Sequence, residues 1–166
     1  MKFDYLKNQD IILLSKQYVL RTLQYHAESF FTKRGEDVES IGKIIGKIDK
    51  EIYKCITEDI ITDEVIITNN QIEHIKIRHN ESLDLAMSAV EETLLDPDFI
   101  FRDKHPNTGL IVKLLEVDNL HLQVVLRICT SNDTKGYKNS IISCWVISKS
   151  RLANYLRNKE ILYRKS

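Results

Sequence analysis

Four apolar runs separated by turn residues lie between Phe99 and Ser148, and this succession constrains the fold more than any other feature. The runs are Phe99–Arg102, Leu110–Val117, Leu120–Cys129 and Ser140–Ser148, rich in the β-branched and aromatic residues that suit a pleated, half-buried surface. In the third run, Leu122, Val124, Leu126 and Ile128 point to one face. His121, Gln123, Val125, Arg127 and Cys129 point to the other. Asn107–Thr108–Gly109 and Val117–Asp118–Asn119 are turn sequences, the second predicting a tight hairpin, and residues 130–136 form a longer loop. Strands joined in this way make an antiparallel meander that keeps one face on helices and leaves the other open.

Helices flank the meander. Val65–Ile66–Ile67 reads as a short strand, after which Thr68 or Asn69 caps a helix running to Arg78 or His79. Asn80 stops it, Glu81–Ser82 restarts helix through Leu95, and Asp96–Pro97 ends that one. Residues 149–159 return to helix with Leu152, Tyr155 and Leu156 as the apolar face, and Leu162–Tyr163 add a short strand. The first sixty residues are expected to form a helical hairpin, roughly 8–33 and 37–57. Its second arm rests on the stripe Val38, Ile41, Ile45, Ile48 and Ile52. The expected organisation is α+β: a helical extension over 1–60, then a domain over 61–166 with helices on a four-stranded antiparallel sheet.

No apolar run reaches the length of a membrane span. The N-terminus carries Asp4 and Asp10 and lacks a small-residue cleavage site, so no secretory signal is expected. Cys55, Cys129 and Cys144 are widely spaced and odd in number, which fits a reducing cytoplasm and structural roles. The formal net charge is zero, but it is unevenly spread. Residues 1–97 hold 12 Lys and Arg against 18 Asp and Glu, six acids in surplus; residues 98–166 hold 12 against 6, six bases in surplus. A basic half is a local field that acts on polyanions.

The candidate chemistry lies in three places. In QIEHIKIRH, His74 and Arg78 share one helix face with Gln71, while His79 lines up with Ile72 and Ile75 and emerges near the helix end. Either that helix delivers an imidazole into a cleft, or His79 is a satisfied helix-ending histidine. Arg127 stands mid-domain on the more polar sheet face, where a guanidinium either grips phosphate bidentately or forms a surface ion pair. Gly136–Tyr137–Lys138–Asn139–Ser140 supplies hydrogen-bond donors at a strand entrance. Tyr163, Arg164 and Lys165 make a small basic-aromatic end. Cleavage of RNA at its own 2′-OH needs a base, an acid and cations around the phosphorane, and these residue types can provide them. There is no HExxH, Walker motif, GxSxG or GxGxxG, and no metal or cofactor is expected.

The segments VIITNNQIEHIKIRHNE, LDPDFIFRDKHPNTGLIVK, LQVVLRI, GYKNSIISCWVIS and NKEILY, in that order over about residues 64–165, resemble the phage barnase/EndoU/colicin/RelE-like (BECR-fold) nucleases. The resemblance implies a helix preceding a four-stranded antiparallel sheet, and metal-independent RNase activity giving a 2′,3′-cyclic phosphate. It maps the family's helical His to His79, with His74 and Arg78 beside it. The strand Arg maps to Arg127, the polar loop to Lys138, Asn139 and Ser140, and the terminal aromatic to Tyr163. Asn80 departs from the expected Pro after the His. The catalytic set expected is His79, His74, Arg127, Ser140 and Tyr163, with Arg78, Lys138, Asn139 and Arg164 on RNA phosphate. The expected function is a toxin-like or phage-derived endoribonuclease. The alternatives are a non-catalytic RNA- or partner-binding module, and an interaction role for the acidic N-terminal helices. Those helices would meet an inhibitor or antitoxin, or cover the basic face in cis.

Overall fold

The computed structural model describes residues 42–79, 83–115 and 119–166. Along them run β1 (Lys43–Lys47), α1 (Lys50–Tyr53), β2 (Glu64–Ile67), α2 (Asn69–His79) and α3 (Leu83–Leu95). Then follow β3 (Phe99–Arg102), β4 (Thr108–Leu114), β5 (Leu120–Arg127), β6 (Asn139–Ser148), α4 (Lys149–Asn158) and β7 (Ile161–Arg164).

The strands form one seven-stranded sheet in the order β1-β2-β6-β5-β4-β3-β7. The expected meander β3-β4-β5-β6 is its centre, antiparallel throughout. Four strands and purely antiparallel pairing are corrected on two counts. β7 extends the sheet beyond β3 and the β1–β2 pair extends it beyond β6, and β2 runs parallel to β6. A parallel pair needs a long crossover, and the segment carrying α2 and α3 supplies it.

The helical hairpin is corrected where it can be compared. Its first arm, 8–33, lies outside the described residues. In its second arm, residues 43–47 are strand, paired antiparallel to β2, and among the arm's described residues only the short α1 is helical. Gly46 interrupts the predicted stripe and disfavours helix, whereas the Ile44–Ile45 pair suits a strand. As a strand residue, Gly46 lets Leu94 of α3 come close: a Cβ there would meet Leu94 Cδ1 at 3.3 Å.

One sheet face carries the main core. Ala86, Val90 and Leu94 of α3 pack there with Ile100, Ile111, Leu122, Val124, Leu126 and Ile128, as the alternation in β5 predicts. Tyr53 is fully buried in the same core and donates its hydroxyl to the Leu94 carbonyl at 2.9 Å, which satisfies the one polar atom it buries. Gly109 of β4 makes room for this layer, since a Cβ would lie 2.6 Å from Ile56 Cδ1.

The opposite face is not open along its length. Ser148 caps α4 by accepting from Arg151 N, and the helix lays Leu152 and Tyr155 over Phe99, Phe101, Leu110, Val112 and Ile147 in a second core. This cover reaches one half of the face and leaves the half built from the start of β6 and the end of β5 for the site.

Candidate active site

α2 starts from a reciprocal cap. Gln71 N donates to Thr68 Oγ1 at 3.3 Å, and Thr68 N donates to Gln71 Oε1 at 2.8 Å. This T-x-x-Q capping box satisfies two backbone donors that a helix start leaves over. The same Gln71 amide donates through Nε2 to Ser140 Oγ at 3.2 Å, tying the helix start to β6. β2 pairs with β6 only at Asn139 and Ser140, and α2 packs along β6 with Ile75 fully buried.

His79, the last residue of α2, is half-buried and stacks on Trp145 of β6, with ring centroids 4.9 Å apart and planes 14° apart. Burial lowers its pKa from the ordinary histidine value, and the nearby charges of Arg78 and His74 lower it further. The imidazole is thus biased toward the neutral, proton-accepting form. Arg78 and His74 are both exposed.

A β-bulge makes this site. The β5–β6 register runs Arg127↔Ser140 and Leu126↔Ile141, then skips Ile142 to continue Val125↔Ser143, Val124↔Cys144 and Gln123↔Trp145. Without the extra residue, Trp145 would share the face of Ile141 and enter the main core. With it, Ser140, Ser143 and Trp145 stand on one face with Arg127. Eight residues of helix separate Gln71 from His79, about 12 Å. The Arg127–Ser140 end and the His79–Trp145 end are therefore two stations along β6.

The Arg127 guanidinium donates to Asp133 Oδ1 at 2.6 Å, so the surface ion pair is one of the two expected alternatives that the structure displays. Asp133 also accepts from Thr130 N at 2.8 Å and Oγ1 at 3.2 Å. Arg127, then Thr130, holds its carboxyl at about 2. Lys138 is paired with the carboxylate of Glu64. Asn139 is fully buried: its Oδ1 accepts from Cys129 N and its Nδ2 donates to the Thr62 carbonyl, both at 2.9 Å. The fold thus uses both ends of the amide expected to meet RNA.

Tyr163 and Arg164 are not brought to this group. β7 lies four strands along the sheet from β6, about 19 Å at ordinary strand spacing. Tyr163 packs against the main core, and Arg164 lies over the Phe99 ring at 5.7 Å. Sequence reasoning missed Trp145, because the bulge that turns it to this face leaves no mark in the alternation of β6. It missed the carboxylate partners Asp133 and Glu64 as well. The T-x-x-Q box was a readable signal for the Gln71 anchor.

What fold and site define is a small α+β domain whose polar chemistry lies on one sheet face, on a helix end, two strands and a loop. Residues 38–164 match the family described as phage-Barnase-EndoU-ColicinE5/D-RelE like nuclease2, and the chain belongs to that nuclease family. The matched stretch includes β1 and α1, upstream of the segments that carried the resemblance. No curated protein and no solved structure matches the chain. Among the described residues, no three His, Cys, Asp or Glu side chains gather so as to hold a metal ion, and no helix is long and apolar enough to cross a membrane.

Proposed function

We propose that the protein is an endoribonuclease that cleaves RNA by attack of the substrate's own 2′-OH, without a metal. The observation that carries this reading is His79: an imidazole biased to its neutral form, at a helix end beside Arg78, stacked on the strand face that also bears Arg127 and Ser140. In the proposed reaction His79 takes the 2′-hydroxyl proton as general base. His74, on the same helix, is the better placed of the two expected second carriers and protonates the leaving 5′-oxygen. Arg78 offers its charge to the phosphorane, where an oriented cation counts most. Arg127 and Lys138 hold a neighbouring phosphate of the same strand, and Ser140 orients it. RNA is the proposed partner, and a toxin-like role with a cognate inhibitor is consistent with the family. The proposed compartment is the cytoplasm.

Incubating the full chain with a mixed RNA pool tests this. The wild type should give fragments with 2′,3′-cyclic phosphate ends. His79→Ala should lose cleavage by about 10²- to 10⁴-fold while keeping its fold and RNA affinity. Full activity in His79→Ala would remove His79 from the mechanism. Salt-sensitive RNA binding by the wild type with no product would favour the non-catalytic binding module.

A further inference from the structure

We infer that Trp145 is the positioning residue of His79, its indole fixing the plane of the imidazole at the end of α2. The inference rests on the reading of His79 as proton carrier. An imidazole turns about its own side-chain torsions, and a flat partner on another element can fix its plane. Trp145 supplies a flat surface at stacking distance, 4.9 Å with 14° between the planes. Trp145 itself is fixed: it pairs across to Gln123 and packs beside Val125 against the second core. The bulge at Ile142 turns this indole to the site, as described above. A bulge that re-aims one side chain toward the proposed proton carrier has a use there that the hydrophobic core alone does not require.

Among the described residues, charged groups near the stack come from two helices. On α2 they are Arg78 and His74. β6 contributes no ionisable side chain except Cys144, which faces the main core. α3, which also packs on α2, carries Asp84, Glu91 and Glu92. An indole face attracts the cationic form of the ring stacked on it, so the stack and the burial act in opposite directions on proton affinity.

Trp145 is the single tryptophan of the chain, so its emission reports the stack directly in the full-length protein. A protonated imidazole quenches a stacked indole far more than a neutral one. Wild-type emission should therefore rise with pH through one transition centred below about 6.5. His79→Gln should abolish the transition and His74→Gln should keep it. Persistence in His79→Gln would overturn the inference. In the cleavage assay, Trp145→Leu should lower kcat on the order of 10- to 100-fold with KM unchanged, as a misplaced catalytic group does. Trp145→Phe, with a thermal midpoint near wild type, should restore kcat to within a few-fold. A loss confined to KM, or unchanged kcat in Trp145→Leu, would overturn it too. A wild-type chain that cleaves no RNA but shows the His79-dependent transition would sink the ribonuclease reading and uphold the stack.

Discussion

The carboxylate of Asp133 holds the Arg127 guanidinium at 2.6 Å, occupying the group that the proposed mechanism needs for phosphate. Substrate must compete with this carboxylate. Asp133→Asn should keep the contacts to Thr130 with weaker acceptance and release Arg127. RNA affinity should rise several-fold, and its salt dependence should steepen as one more cation engages. Fluorescence anisotropy with a labelled oligonucleotide at two salt concentrations would read this. An unchanged affinity would mean that Arg127 serves only the loop.

Asn139 separates structural from binding roles. Its amide bonds two backbone groups while fully buried, so Asn139→Ala leaves the Cys129 N–H and the Thr62 carbonyl without their partner. Stability should fall by about 2–3 kcal/mol in denaturant unfolding. RNA affinity measured well below the midpoint should stay near wild type. Lost affinity with unchanged stability would instead put Asn139 on the RNA.

Truncation should reveal where the folding unit begins. A chain starting at residue 61 lacks β1, α1 and the fully buried Tyr53, a loss of at least about 3–5 kcal/mol on the scale of a large core truncation. That is comparable with the whole stability of many domains. It should lack a cooperative thermal transition, whereas a chain starting at residue 38 should melt sharply. A sharp melt of the shorter fragment would show β1 to be dispensable.

Acid should destabilise the fold in a window set by histidine. His121 is buried, its Nδ1 has no hydrogen-bond partner among the described residues, and burial lowers its pKa against the Leu120 backbone and then the Asp98 carboxylate, which raise it. A folded-state pKa below the unfolded one means that the unfolded chain binds the proton first. Stability is therefore complete above about pH 6.5 and declines as pH falls toward the depressed value. His79 acts with the same sign. Asp96 and Asp133, both held at about 2, by Lys113 first and by Arg127 first respectively, contribute only below about pH 4. Thermal midpoints between pH 7 and 5 should fall less steeply in His121→Leu than in wild type. Equal slopes would assign the dependence elsewhere.

The middle of the fold was legible because its signals are local. Turn residues and β-branched runs placed β3 and β6 within a residue and β4 and β5 within two or three, Thr108 and Gly109 joining the strand rather than the turn, and the run after Thr68 placed α2. The sheet's outer strands were not legible in the same way. β1 carries Ile residues at spacings that also suit a helix, and only its pairing with β2 decides between them. At the site, His79, Arg127 and Ser140 were found by residue type. Their partners depend on register: the bulge brings Trp145 to His79, and the loop after β5 brings Asp133 to Arg127. Tyr163 looked close to the chemistry because it closes the motif series, yet its strand docks at an edge of the sheet four strands from β6.

The contacts that assemble the site reach far along the chain: Gln71 meets Ser140 across 69 residues, and Lys138 meets Glu64 across 74. A ribosome that has released α2 has not yet made β6, so the nascent polypeptide carries His79 before Trp145 exists for it to stack on. Pairings of such long range also form slowly once the chain is free. The order of synthesis thus leaves the constellation incomplete until β6 has been made.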